Sequence, residues 1–251
     1  MSPELSLVAL QGLPEVRPDD DLAALLAAAA PQDLRDGDLL CVAHKVVSKA
    51  EGRIRRLADI EPGERALAVA AEQGRDPRLM QAVLDETATV LRAKRGVLIC
   101  ETRHGYVCAN AGVDQSNAGA PGELVLLPTD PDRSARELRA GIAAASGVRP
   151  AVLITDSFGR AWRLGQTDVA LGAAGLVPID DRRGRPDARG RELRATMIAV
   201  ADAVAGAADL ARSKDSDEPV VVARGLERFV TAEDGTDAAA MRRPPAEDLF
   251  R

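Results

Sequence analysis

Short apolar runs alternate along the chain with longer stretches of helical pattern. Runs of four to six apolar residues bounded by polar or turn residues are typical of buried strands. This pattern predicts strands over residues 6–10, 39–43, 97–101, 106–109, 123–127, 151–155 and 219–224. The runs 97–101 and 106–109 flank a short polar turn, so they are predicted to form a hairpin.

Helical patterns separate these runs. Asp19, Asp20 and Asp21 precede an Ala/Leu run that Pro31 ends, and carboxylates at that place accept the free N–H groups of a first turn. Further helices are predicted over residues 62–74, 77–94, 131–146 and 195–212. Strands and helices alternate irregularly and include a hairpin, so we predict a mixed α/β (α+β) fold of mixed sheets with flanking helices.

Length and composition fit one globular unit. The chain has 251 residues, 46% of them hydrophobic and 2% aromatic, so its core is built from Ala, Val, Leu and Ile. We predict one domain over 1–251, with an alternative of two subdomains in which about 97–190 forms the second. Lys+Arg 33 against Asp+Glu 39 gives a net charge of −6, so a nucleic-acid partner is not expected.

Cysteine usage and the first residues indicate the compartment. Cys41, Cys100 and Cys108 are odd in number and form no CxxC, which favours reduced thiols in the cytoplasm. No signal peptide is recognised, and the longest apolar run, 22–30, is too short for a bilayer. We therefore expect a cytoplasmic protein with no membrane partner.

Two aspartates follow apolar strands and are the strongest candidates for chemistry. Asp114 and Asp156 each precede neutral oxygen donors, Ser116 and Asn117 in one case and Ser157 in the other. Oxygen ligands suit Mg²⁺ or Mn²⁺ rather than zinc. The alternative is that both aspartates are helix caps or turn formers.

Basic residues stand where phosphate could meet them. Arg160 and Arg163 lie in a predicted Gly-bounded loop over 156–168, and Lys45 and Lys49 follow the strand 39–43. A solvated basic loop is the alternative for each of them. No Walker A, GxGxxG or HExxH motif occurs, and the two histidines exclude a His-rich metal site. A nucleophile pair of Cys108 and His104 stays open, although the hairpin makes both ordinary residues.

Four longer motifs occur in a fixed order. They are Gly12-Leu-Pro-Glu15, Lys45-Val-Val-Ser-Lys-Ala-Glu-Gly-Arg53, Asn110-Ala-Gly-Val-Asp-Gln-Ser-Asn117 and Ile154-Thr-Asp-Ser-Phe-Gly-Arg-Ala-Trp-Arg-Leu-Gly-Gln-Thr-Asp168. In this order they resemble the coenzyme F420-0:L-glutamate ligase family in its single-domain form, over essentially the whole chain. The resemblance implies a mixed α/β fold in an intertwined homodimer.

The resemblance also implies an activity. Family members are GTP-dependent ligases that activate the carboxylate of F420-0 as an acyl phosphate. L-glutamate then attacks it, and some members add further γ-linked glutamates. Two ions of Mg²⁺ or Mn²⁺, often with K⁺, are the implied cofactors. The small-molecule partners are therefore GTP, L-glutamate and F420-0.

Site residues are carried over by position. Asp114 and Asp156 match the family's metal-binding aspartates, and Ser157 stands where a threonine is usual at a second metal. Nucleotide-binding positions match Leu13, Pro14, Glu15, Val16, Lys49 and Asn117, together with His44, which replaces a frequent serine. Residues 213–216 occupy a nucleotide-proximal loop without the Gly/Glu-rich pattern of archaeal members. Arg160 and Arg163 are candidates for phosphate or substrate on their charge and place alone.

Two other functions remain open at this stage. One is a non-catalytic nucleotide-sensing module, motivated by the departures at His44 and Ser157. The other is a ligase for a related phospho-acid deazaflavin, for which the Arg-rich stretch 180–194 would be a place of change.

Overall fold

A computed structural model describes residues 4–213 and 217–249. The strands in these ranges are β1 (Ser6–Ala9), β2 (Leu39–Ala43), β3 (Ile54–Arg56), β4 (Thr87–Lys94), β5 (Val97–Thr102), β6 (Val107–Ala109), β7 (Glu123–Val125), β8 (Ala151–Arg160), β9 (Arg163–Ala174), β10 (Ile179–Asp181), β11 (Met197–Ala199) and β12 (Val220–Arg224). The α-helices are α1 (Leu22–Ala29), α2 (His44–Ala50), α3 (Glu64–Gln73), α4 (Pro77–Asp85), α5 (Pro131–Ser146) and α6 (Val200–Asp209).

A five-stranded sheet organises the fold in the order β1-β12-β2-β8-β9. Strand β2 runs parallel to β8, while the other neighbours are antiparallel. Residues of β2 alternate between two cores, as strand geometry requires. Leu40 and Val42 pack in the cluster that contains α1 and α5, whereas Leu39 and Cys41 pack in the cluster that contains α6. The central strands are therefore buried on both faces, which explains their unbroken apolar runs.

A further core lies between residues 60 and 126. Helix α4 contributes Met80 and Val83 to this core, and α3 contributes Ala66 and Ala70. The same cluster contains Leu98 of β5 and Leu124 of β7. Strands β4, β5 and β6 form a three-stranded antiparallel sheet, and β3 pairs with β7 as a two-stranded ribbon. Asp114 is joined to this ribbon by a bridge with Val125 of β7.

The mixed α/β class is confirmed, together with several predicted elements. Asp21 caps α1, with its side chain accepting from the N–H of Ala24 at 3.0 Å. Helix α5 has the predicted bounds and ends at Gly147, whose φ of 77° is left-handed. None of the helices within the described ranges is long and apolar enough to cross a bilayer. The division into subdomains and the dimer stay predictions.

Other predicted elements were wrong. The predicted helix 77–94 ends at Asp85, and Thr87–Lys94 forms β4 because it pairs with β5 across a turn at Arg95 and Gly96, both at positive φ. The predicted helix 195–212 is shorter, since Met197–Ala199 pairs with β10 and α6 begins only at Val200.

Two predicted loops are ordered elements. The loop predicted after the strand 39–43 is helix α2, which starts directly at His44. The Gly-bounded loop 156–168 is the far part of a long hairpin, in which β8 continues to Arg160 and β9 starts at Arg163. Antiparallel pairing such as Asp156 with Val169 holds this hairpin, and no local signal within 156–168 reveals that partner.

Candidate functional site

A cavity of about 790 Å³ opens at the end of β2 and beside the middle of β8. It is walled by the segment after β1, the first turn of α2, the loop around Asp114, the β8–β9 hairpin and the chain between α6 and β12. All of the residues that the resemblance assigned to nucleotide or metal line it: Leu13, Pro14, Glu15, Val16, His44, Lys49, Asp114, Asn117, Asp156 and Ser157.

Helix α2 brings the two aspartates together. Its first residue, His44, lies with Nε2 3.4 Å from Oδ1 of Asp156. Its second residue, Lys45, places Nζ 2.7 Å from Oδ2 of Asp114. Because these contacts come from adjacent residues, carboxylates from two different sheets converge on one helix end.

Asp114 is fixed by several donors. Lys45 Nζ also donates to the hydroxyl and carbonyl oxygens of Ser116, at 2.8 and 2.9 Å. The N–H and hydroxyl of Ser116 donate in turn to the Asp114 carboxylate, each at 2.8 Å. Burial opposes ionisation of Asp114, but the hydrogen bonds from Lys45 and Ser116 outweigh it and lower the pKa of this carboxyl. Asp114 is therefore an anion at neutral pH.

Asp156 belongs to a more buried part of the wall. The N–H of Ser157 donates to Asp156 Oδ1 at 2.8 Å. His44, buried at 1% exposure, turns its Nδ1 toward Ser48 Oγ at 3.3 Å and its Nε2 toward Asp156. This histidine therefore lies against the Asp156 carboxylate in the wall of the cavity.

Asp168 is a site residue that the sequence reasoning did not single out. Its carboxylate, 1% exposed, accepts from Thr155 Oγ1 at 2.8 Å and from Ser157 Oγ at 2.6 Å. It also pairs with the guanidinium of Arg212, which donates to Thr155 Oγ1 and to the carbonyl of Pro219, each at 3.0 Å. Since the hydroxyl hydrogen of Ser157 points to Asp168, this network sets the orientation of that hydroxyl.

Lys49 stands at another wall of the cavity. Its Nζ, on a nearly buried side chain, donates to Glu15 Oε1 at 2.6 Å. The predicted nucleotide-binding residues around Glu15 are thus tied to α2. Ser213 lines the cavity, whereas residues 214–216 of the predicted nucleotide-proximal loop lie outside the described residues.

Arg160 and Arg163 are not among the cavity-lining residues of this chain. Both are exposed near the turn of the β8–β9 hairpin, where Arg160 Nη2 donates to the carbonyl of Leu164 at 2.9 Å. Among the described residues, Lys45, Lys49 and Arg212 are the Lys and Arg side chains that line the cavity.

The alternative nucleophile pair is poorly suited to catalysis. Burial, with a smaller contribution from the charge of Asp156, raises the pKa of Cys108 to about 12. Burial lowers the pKa of His104, whose Nε2 lies 3.1 Å from the carbonyl of Thr129. A thiol so rarely ionised at neutral pH makes a weak nucleophile.

The donor set fits a hard divalent cation completed by a ligand. Within residues 4–213 and 217–249 no group of three or more His, Cys, Asp or Glu side chains forms a ready-made metal site. Asp114, Asp156 and Ser157 nevertheless offer only oxygen toward the same cavity. Mg²⁺ is typically held by one or two carboxylates plus phosphate oxygens and water, and Asp114 and Asp156 are two carboxylates that could serve in this way.

Fold and cavity together define a mixed α/β protein in which carboxylates and ammonium or guanidinium groups line one cavity. The model of the F420-0:Gamma-glutamyl ligase family matches residues 12–225. The chain therefore belongs to the F420-0:gamma-glutamyl ligase family, and the resemblance read from its motifs is confirmed.

Curated relatives agree with this assignment. The chain is 47% identical over 242 residues to a protein of Methanopyrus kandleri named coenzyme F420:L-glutamate ligase, with 94% of each chain covered. Proteins of the same name from Methanothermobacter thermautotrophicus and Haloarcula marismortui are 42% and 43% identical, with 98% of this chain and 99% and 96% of theirs covered.

Proposed function

We propose that this protein is a ligase that joins L-glutamate to coenzyme F420-0 at the expense of GTP. The observation that carries the proposal is the convergence of Asp114 and Asp156 on one cation-lined cavity, in a chain of this family. The names of the relatives support the two substrates, and the donor chemistry of the cavity supports a nucleotide with divalent cations.

The chemistry explains why such a cavity is needed. A carboxylate does not react with an amine at neutral pH, so it needs a leaving group. We propose that a carboxylate oxygen of F420-0 attacks the γ-phosphorus of GTP and that GDP leaves, giving an acyl phosphate. The glutamate amine then attacks the acyl carbon, loses a proton, and inorganic phosphate leaves as the amide forms. Both reactants of the first step are anions that repel each other.

The chain's own cations reduce that repulsion. Lys45, Lys49 and Arg212 line the cavity and would stabilise phosphate oxygens. Asp114, Asp156 and Ser157 would hold divalent Mg²⁺ or Mn²⁺, with K⁺ as a further ion of the proposal. When bound, these ions neutralise charge on the phosphates and align them for in-line transfer.

A homodimer in the cytoplasm belongs to the same proposal. The turn of the β8–β9 hairpin exposes two large apolar side chains, Trp162 at 83% and Leu164 at 98%, which a second copy could cover. The three described cysteines are free, as in a reducing compartment. Sedimentation equilibrium that returns the mass of one chain at micromolar concentration would contradict the dimer.

The substitution Asp114→Asn tests the function. It keeps the shape of the side chain but removes the charge that a cation needs, so we expect glutamylation to fall by about a thousand-fold or more, as for loss of a transition-state charge stabiliser. Asp181→Asn is the matched control, because Asp181 is exposed, pairs with Arg183 and lies outside the cavity.

The assay is product mass after incubation with F420-0, GTP, Mn²⁺ and L-glutamate. A product one glutamyl unit heavier supports the ligase, and a ladder of such units supports polyglutamate extension. A rate of GTP hydrolysis that is the same with and without F420-0 and L-glutamate would refute the proposal. Undiminished turnover by the Asp114→Asn variant would also do so.

A further inference from the structure

A second cavity, of about 650 Å³, adjoins the first. The two share Glu15, Val16, Lys49 and Gly119 in their linings. The junction therefore lies at the Lys49–Glu15 ion pair, where Lys49 is reachable from either side. No residue that the resemblance assigned to metal lines the second cavity.

The second cavity is marked by guanidinium groups. Arg17, Arg55 and Arg56 line it, while Val16, Pro18, Ile54, Ile60 and Ala118 supply apolar wall. Three acidic residues also line it, and of these Asp59 is exposed, whereas the other two carboxylates have partners. Glu15 accepts from Lys49, and Glu123 accepts from the N–H of Ala120 at 3.0 Å while its other oxygen is 3.8 Å from Arg56.

The arginines keep capacity for an anion. Arg55 places Nη1 2.6 Å from Asp85, which uses part of a fork of five N–H donors. The Arg56 side chain is 72% exposed, with only the long contact to Glu123. Within the described ranges, no ion pair is found for the exposed guanidinium of Arg17. Carboxylate and phosphate groups match such forks better than a neutral ligand does.

Backbone pairing connects this cluster rigidly to the reaction site. Arg55 and Arg56 lie on β3, which pairs with β7 in the register Ile54 to Val125. Val125 in turn exchanges both backbone hydrogen bonds with Asp114, at 2.8 and 3.0 Å. The strand that carries the arginines is therefore one strand away from the carboxylate that faces the first cavity.

We infer that the second cavity binds the acid acceptor of the ligation through its chain of anionic groups. This inference rests on the proposed function. The volume exceeds what one amino acid needs, and drug-sized ligands occupy cavities of this size. A terminal carboxylate at the Lys49 junction would face the nucleotide side, while phosphate or further carboxylates lie along Arg17, Arg55 and Arg56. Two sources share this chemistry: the phospho-acid arm of F420-0 and a γ-glutamyl tail already added.

The double variant Arg17→Gln with Arg56→Gln tests the inference. Both side chains are exposed, so folding is expected to be unaffected, and circular dichroism checks it. We expect the KM for F420-0 to rise about ten-fold or more, in keeping with lost charge-assisted hydrogen bonds. The KM for GTP, the KM for L-glutamate and kcat are expected to stay within two-fold of the wild type.

Arg133→Gln is the matched control, because Arg133 is an exposed arginine paired with Glu137 and lines neither cavity. Added salt should raise the acceptor KM of the wild type more than that of the double variant. An acceptor KM that is unchanged both for F420-0 and for the singly glutamylated acceptor overturns the inference, and so does a rise in the KM for GTP or glutamate in its place.

Two acceptors separate the two sources. If the double variant raises the KM more for the singly glutamylated acceptor than for F420-0, the arginines are assigned to the glutamyl tail. If it raises the two KM values equally, they are assigned to the phospho-acid arm. Equilibrium binding of F420-0, followed by its fluorescence, separates this inference from the ligase proposal. If the double variant binds both F420-0 and the singly glutamylated acceptor as tightly as the wild type, the cavity assignment is overturned even if no turnover occurs. Loss of acceptor binding in the double variant supports the cavity assignment even if no turnover occurs. A wild type that neither binds the acceptor nor turns it over refutes both the cavity assignment and the ligase proposal.

Discussion

Removing the carboxylate of Asp168 should strongly destabilise the protein. The substitution Asp168→Ala leaves the guanidinium of Arg212, whose side chain is only 10% exposed, without its anion. It also leaves the hydroxyls of Thr155 and Ser157 without their acceptor. Breaking one side of a buried ion pair costs about 3–5 kcal/mol, so we expect the free energy of unfolding to fall by about 4 kcal/mol.

Urea denaturation followed by circular dichroism measures this change. For a chain of this length each kcal/mol corresponds to about 2–4 °C in Tm, which predicts a fall of roughly 8–16 °C. Asp168→Asn keeps the shape and one acceptor oxygen, so its cost should be smaller.

A double-mutant cycle isolates the ion pair. The pair of changes Asp168→Ala and Arg212→Met removes the orphaned charge together with its anion, so the double variant should be more stable than the sum of the single effects by about 2 kcal/mol. A single variant within 1 kcal/mol of the wild type, or strict additivity, would refute the reasoning.

Two further predictions concern close packing and thiol ionisation. A Cβ at Gly172 would stand 2.1 Å from the carbonyl oxygen of Pro131, so Gly172→Ala should lower the free energy of unfolding by about 3 kcal/mol, measured by heat or urea. The control Gly159→Ala, where a Cβ meets no atom within 4 Å, should lower it little. Equal losses of stability in the two variants would contradict this prediction. Burial raises the pKa of Cys41 and Cys108 to about 12, so both thiols should be protonated below that pH. At pH 8 both should therefore react with an alkylating reagent far more slowly in the folded protein than in urea. Rapid labelling of the folded protein would contradict this prediction.

The sequence predicted those parts of the site that local pattern encodes. Asp114 and Asp156 each follow an apolar run, and the structure brings both to one cavity with Lys49 and Asn117. The N-cap at Asp21 and the glycine end of α5 were likewise predictable, because caps depend on neighbouring residues only.

Other features of the fold and the site were not predicted, in most cases because they depend on pairing with residues far along the chain. Strand β4 was predicted as helix, although Thr87, Thr89 and Val90 are β-branched and Arg95-Gly96 could signal a hairpin turn. Asp168 was not singled out because its role depends on lying beside Ser157 across the β8–β9 hairpin, in a register that local sequence does not encode. Helix α2 was missed because no side chain caps its start directly after β2.

The walls of the first cavity come from chain segments that the ribosome synthesises far apart in time. Within the described part of the chain, strand β1 pairs with β12 alone, and the N–H of Leu10 just beyond it donates to the carbonyl of Val220. During translation β1 can therefore pair with β12 only after more than two hundred residues beyond Glu15 have left the ribosome. Until then the segment that holds Glu15 is not held in place by this pairing. A nascent chain halted before residue 220 should carry the helices α3 and α4 but should not bind nucleotide, and a fluorescent GTP analogue on stalled chains would measure this.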